Sequence, residues 1–157
     1  GLDALSLVKE ILSKCDALSY FALHKIFYLI EFEAYKRFGR RLTSAYMVRQ
    51  KDGPYFTDLH ISKIKSSLDG VRVRTLGGKL VISLDAPSLF REDSVGLSRD
   101  EIDAVDFVVR KYSHMADAEI KTATYMTSPM RRILREEKSG GEGWFNRPIV
   151  FDELMGT

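Results

Sequence analysis

Three histidines, one cysteine and two close pairs of glutamates are the side chains of this 157-residue sequence best suited to chemistry. His24, His60 and His114 would serve as metal ligands or general bases if Cys, Asp or Glu stood at ligand spacing beside them, and none does. His114 and Asp117 are three residues apart, a separation too common to define a site. Cys15 lies between Lys14 and Asp16, whose opposite charges give its thiolate no net stabilisation, so it reads as core filler rather than nucleophile. On a helix, Glu31 and Glu33 diverge, as do Glu136 and Glu137, which denies both pairs the shared geometry of acid–base carboxylates. Gly77-Gly78 and Gly140-Gly141 lack the strand-to-helix setting of a phosphate loop, and no nucleophile elbow or dinucleotide fingerprint occurs. The expectation is a non-enzyme that folds without metal or cofactor.

Charge is the stronger signal. The net charge is +2, yet between Lys36 and Lys79 eleven bases face only Asp52, Asp58 and Asp69, a local +8 that leaves −6 elsewhere. A stretch of this kind suits nucleic acid, an acidic partner, or a solvated positive face. The lone cysteine suits a reducing compartment. No apolar run approaches the ~20 residues of a membrane span, and the opening GLDALSLVKE lacks a signal-peptide pattern, so a cytoplasmic protein without membrane contact is expected.

The elements that must position these residues follow from periodicity. Asp3 caps a first helix to about Lys14, with Leu5, Val8, Ile11 and Leu12 on one stripe. Ser19 caps a second from Tyr20 to Phe38, stopped by Gly39. Leu23, Ile26, Phe27, Ile30, Ala34 and Phe38 line one of its faces, and Phe21, Tyr28, Phe32 and Tyr35 form a separate aromatic stripe. Two apolar faces make this the central helix. Residues 45–51 read as a short extended strand, Asp52-Gly53-Pro54 as a turn, and Tyr55 to Leu68 as a helix with Phe56, Ile61, Ile64 and Leu68 inward.

VRVRTLGGKLVISL is a hairpin turning at Gly77-Gly78. That register puts Val71, Val73, Thr75, Leu80, Ile82 and Leu84 on one face and Arg72, Arg74, Leu76, Lys79, Val81 and Ser83 on the other. Residues 85–97 read as a loop and possible seam. Ser98 and Glu101 form a capping box before a helix carrying Ile102, Val105, Val108, Val109 and Tyr112. A short helix from Asp117 to about Met126 and another to about Lys138, with Ser128 as cap and Pro129 in its first turn, precede an extended FNRPIVFDEL that begins a last turn. The expected fold is α+β and predominantly helical: about five to six helices around a central buried one, one β-hairpin and a short extra strand, in a single domain over 1–157, long enough to bury roughly two-thirds of its unfolded surface.

The order helix, helix, extended piece, helix, hairpin is also that of a winged helix. In that reading Lys63 and Lys65 on the third helix, with Arg72, Arg74 and Lys79 on the wing, would contact phosphates. The third helix offers few side chains suited to base edges.

The run LHKIFYLIEFEAYKRFGRRL, followed by GPYFTDLH, resembles the Panacea domain, also described as the antitoxin SocA-like or phage-associated domain. In that family a leucine- and aromatic-rich helix ends in a Tyr-Gly or Phe-Gly step, and a Gly-Pro motif then opens a helix. The capping-box helix at LSRDEIDAVDFVVRKY, the Pro129 helix start and RPIVFDEL agree in outline, so the resemblance spans about residues 5–154. It implies structural motif roles for Tyr28, Phe38, Gly39, Gly53, Pro54 and Pro129. The chain departs from the family where Tyr125 replaces a histidine four residues before the proline and Met130 replaces a tryptophan after it. A tryptophan occurs only later, at Trp144, and Lys51-Asp52 replace the residues usual before Gly-Pro. The role of the family histidine is therefore not transferred. The resemblance implies a non-enzymatic protein that binds and neutralises a toxin encoded beside it, directly or by delivering it to a protease. The rival reading is a winged-helix-like DNA-binding regulator, and because such antitoxins can also repress their own promoter, the two are compatible.

Overall fold

The computed structural model describes residues 1–85, 96–141 and 143–155. In chain order it has α1 (Ala4–Ser13), β1 (Leu18–Ser19), α2 (Tyr20–Phe38), β2 (Met47–Gln50), β3 (Gly53–Phe56), a 3-10 turn (Thr57–Leu59) and α3 (Ile61–Ser67). Then follow β4 (Val71–Leu76), β5 (Lys79–Leu84), α4 (Arg99–Tyr112), α5 (Asp117–Tyr125), α6 (Ser128–Lys138) and α7 (Phe151–Met155). The fold is α+β and predominantly helical, with seven α-helices and two small antiparallel sheets among the described residues.

Helix α2 is the centre of the molecule, as its patterning predicts. The Ser19 hydroxyl accepts from the Ala22 amide at 3.0 Å, and Gly39 ends the helix in the left-handed region at φ 72°. Helices α1, α4 and α5 and strands β1, β3 and β5 all pack against it. Every residue from Ala22 to Glu31 is buried, so this stretch is enclosed all the way round rather than on two apolar faces. Phe21, Phe32, Tyr35 and Phe38 are only half-buried, while His24, Lys25 and Glu31 lie inside. On α1, Leu7 takes the buried place expected of Leu5.

The expected helix from Tyr55 to Leu68 is not formed. Residues 53–56 instead pair with β2, Met47 opposite Phe56 and Gln50 opposite Gly53, so the turn falls at Lys51-Asp52 rather than at Asp52-Gly53-Pro54. Gly53 sits at φ 110°, outside any helical conformation. Phe56 is fully buried against Phe27, with ring centroids 4.5 Å apart, and tertiary burial decides the backbone there. The helix that remains, α3, starts only after His60, whose Nδ1 accepts from the Ser62 amide at 3.3 Å.

The second hairpin has the predicted register, Leu76 opposite Lys79 and Val73 opposite Ile82, across Gly77 and Gly78 at φ 57° and 79°. Its inner face is buried at the base only: Ile82 is fully covered, Val71, Val73 and Leu84 partly, and Thr75 and Leu80 are exposed. The tip therefore stands off the body. A strand not anticipated, β1, pairs with β5 and gives the order β1-β5-β4. The capping box of Ser98 and Glu101 forms reciprocally. The cap of α6 is Thr127, one residue before the predicted Ser128, with Pro129 in the first turn. Residues 146–149 run beside β2 through backbone bonds to Met47 and Arg49. Residues 86–95, most of the expected seam at 85–97, lie outside the described residues.

Candidate functional site

The motif positions converge on contacts made by α2. Lys25, 4% exposed, donates from Nζ to the Pro54 carbonyl at 3.0 Å and lies 4.7 Å from the centre of the Phe21 ring. A Cβ on Gly53 would meet Lys25 Cε and Nζ at 3.7 Å, an ordinary contact, so what calls for glycine here is the positive φ. Burial pushes the Lys25 ammonium down to about 8, against the opposing pull of Asp52. Asp52 itself receives Lys121 at 2.8 Å, which ties the β2–β3 turn to α5.

His24 holds the same strand from the next position. Its Nδ1 accepts from the Phe56 amide at 3.1 Å, and its ring stacks on Tyr55 at 4.4 Å and meets Tyr20 edge-on at 4.7 Å. Nε2 is buried without a partner. Burial, then the charges of Lys25 and His60, press its pKa down to about 3, so the ring is neutral near pH 7. The Tyr20 hydroxyl donates to the Leu59 carbonyl at 2.9 Å, closing the seam. Sequence reasoning passed over both residues as site candidates. Their only signal was two polar residues inside the apolar run LHKIFYLI.

Tyr28 and Pro129 meet through one residue. The Thr127 hydroxyl donates to the Thr124 carbonyl at 2.6 Å, so the Tyr28 hydroxyl, 2.8 Å away, is the donor to Thr127. This pins the α5–α6 junction, with Pro129 buried two residues further on. Tyr125, at the place of the family histidine, donates to the Lys51 carbonyl and accepts from Arg49, both at 3.2 Å. Met130 is fully buried, and Trp144 donates to Glu136 at 2.8 Å. Glu31, fully buried, takes the amides of Leu42 and Thr43, the Thr43 hydroxyl and the Arg41 guanidinium, fixing the loop after Gly39. Phe38 and Gly39 end the same helix.

These groups are consumed by structure. The Lys25 amine, the Tyr28 hydroxyl and the Glu31 carboxylate all point at backbone or at neighbouring side chains. Burial pushes the Cys15 thiol up to about 11, with Asp16 adding to the effect, so the thiolate is suppressed. His114 and Asp117 make no metal site; among the described residues no cluster of His, Cys, Asp and Glu is placed to hold a metal ion.

The basic candidates gather on a second surface, since α3 packs on β4. Lys63, Lys65, Arg72, Arg74 and Lys79 are all exposed. Lys63 pairs with Asp58 at 3.7 Å, Arg72 with Asp85 at 3.1 Å and Lys79 with Asp117 at 3.1 Å. Arg74 and Lys65 carry no ion pair among the described residues. Three of five charges are thus already answered, which weakens the field a phosphate backbone would feel. The connectivity α1-β1-α2-α3-β4-β5 with sheet order β1-β5-β4 is that of a winged helix, but α3 is seven residues long and the β2–β3 hairpin is inserted before it.

The family model described as antitoxin SocA-like, Panacea domain, matches residues 23–129, which is 107 of the 157 residues. The match begins in α2 and ends at Pro129, taking in the His24 and Lys25 contacts with β3, Tyr28, Phe38, Gly39, Gly53, Pro54 and Pro129, and all five basic candidates. No curated protein and no solved structure gives a significant match.

Proposed function

The chain belongs to the antitoxin SocA-like Panacea domain family, and from that premise we propose that it is a non-enzymatic antitoxin of the cytoplasm that binds a toxin protein encoded beside it. Neutralisation occurs either directly or by delivery of the bound toxin to a protease. The carrying observation is the family match from α2 to the start of α6. The buried polar side chains of α2 support the same reading, because Lys25, His24, Tyr28 and Glu31 are engaged in holding β3, the α5–α6 junction and the loop after α2. No helix among the described residues is long and apolar enough to cross a membrane.

Co-expression with the product of the neighbouring gene tests this. Wild-type protein is expected to restore growth that the neighbour alone arrests. Continued arrest with the chain expressed and folded would refute the antitoxin reading.

The strand order β1-β5-β4 is the one ground for a second reading, a regulator that binds DNA through α3 and the β4–β5 hairpin. Three carboxylates already pair with that face, so the expected result with duplex DNA at physiological salt is only weak, salt-sensitive association. Tight, sequence-selective retention of an operator fragment would raise this reading above the first.

A further inference from the structure

One edge of the three-stranded sheet is open. Across a two-residue turn the flanking pair is hydrogen-bonded, so Leu76–Lys79, Arg74–Val81 and Arg72–Ser83 are the bonded pairs of the β4–β5 ladder. The Gly70 carbonyl, which accepts from the Asp85 amide at 2.7 Å, continues the same alternation. The N–H and C=O groups of Val71, Val73 and Thr75 therefore point away from β5. Among the described residues nothing bonds to them.

An unpaired edge is a template for another strand, and its side chains decide which. Arg72 and Arg74 are exposed on the outer face, so a second copy of β4 would bring like charges together. Lys65, on the helix packed beside β4, adds a third cation, and among the described residues neither it nor Arg74 has an ion pair. The Arg72–Asp85 pair is more than half exposed on both sides and exchanges readily for another carboxylate. Toward the tip the surface turns apolar, with Leu76 51% and Leu80 38% exposed.

We propose that the β4 edge is the docking site for the protein partner, which adds an extended segment to the sheet. Acidic side chains at alternate positions of that segment face Arg72 and Arg74, and an apolar one covers Leu76. The main-chain bonds to Val71, Val73 and Thr75 supply affinity, and the alternating side chains supply selection. This inference rests on the antitoxin reading and names the surface it uses.

Thr75→Pro removes one outward N–H and leaves the hairpin bonds of Arg74 and Leu76 intact. The expected result is an unchanged melting temperature and far-UV spectrum, with binding to the purified neighbouring-gene product weakened about tenfold or more. The exposed pair Arg72→Glu with Arg74→Glu should weaken it similarly, and it carries the test if the proline variant misfolds. In the free protein, amide exchange at Val73 and Thr75 should outpace that at Arg74 and Leu76. Protection of the two outward amides, or full binding by folded Thr75→Pro, overturns the inference while leaving the antitoxin reading intact. Wild-type protein that does not bind the neighbour removes both. Binding of a DNA duplex by wild type and Thr75→Pro alike, lost in the double charge variant, would reassign the face to nucleic acid and also overturn it.

Discussion

His24 has the least replaceable setting of the three histidines. Its ring is stacked on Tyr55, edged by Tyr20 and bound through Nδ1 to the Phe56 amide, so a second proton would bury a charge and set an N–H against the Phe56 N–H. The folded pKa of about 3 lies below the unfolded 6.5. Between those values the unfolded chain binds a proton that the folded chain refuses, so stability falls as pH drops through this window and is insensitive to His24 above it. At about 1.4 kcal/mol per pH unit, moving from pH 6.5 to 5 should cost about 2 kcal/mol. His24→Asn, whose side-chain oxygen can still accept from Phe56, should flatten that slope. Urea titrations over this range that give equal slopes for both proteins would contradict the placement. None of this was legible beforehand: a histidine in an apolar run reads the same whether it is exposed, ligating or enclosed. What distinguishes it is β3, which approaches from 32 residues away.

At the scale of elements, the sequence carries most local signals faithfully, the Asp52-Gly53-Pro54 turn and the Ser128 cap excepted, and few non-local ones beyond the centrality of α2. The hairpin at Gly77-Gly78, the Ser19 and Gly39 ends of α2 and the Ser98–Glu101 box each depend on residues within a few positions, and each formed as expected. Strand β3 reads in sequence as a turn at Gly53-Pro54 and a helix from Tyr55 because its reasons lie elsewhere, in pairing with β2, in the Lys25 amine that holds the Pro54 carbonyl and in Phe27, which buries Phe56. Strand β1 has two residues and no signal except its pairing with Ile82 and Val81. The basic candidates were likewise found from charge alone, while the carboxylates that answer three of them became visible only in space. The claim most exposed to test at this scale is the centrality of α2. Phe27→Ala or Ile30→Ala should each lower stability by about 2 to 5 kcal/mol, since both side chains are fully enclosed and leave a cavity. Chemical denaturation with losses under about 0.5 kcal/mol at both would show that the helix is not the core.

For the whole molecule, the buried polar groups His24, Lys25, Tyr28 and Glu31 fasten α2 to β3, to the α5–α6 junction and to the loop after Gly39. Among the described residues the β4–β5 hairpin exposes basic side chains, Leu76 and Leu80 near its tip and one open edge. A scaffold arranged this way offers a partner a fixed shape and unanswered charge, which suits recognition of another protein. The most direct test is titration of the purified chain with the purified product of the neighbouring gene, followed by calorimetry. A saturable one-to-one complex with a dissociation constant below about 1 μM is expected, weakened by Arg72→Glu with Arg74→Glu. No heat of binding and no co-elution at several times that concentration, with both proteins folded, would contradict it.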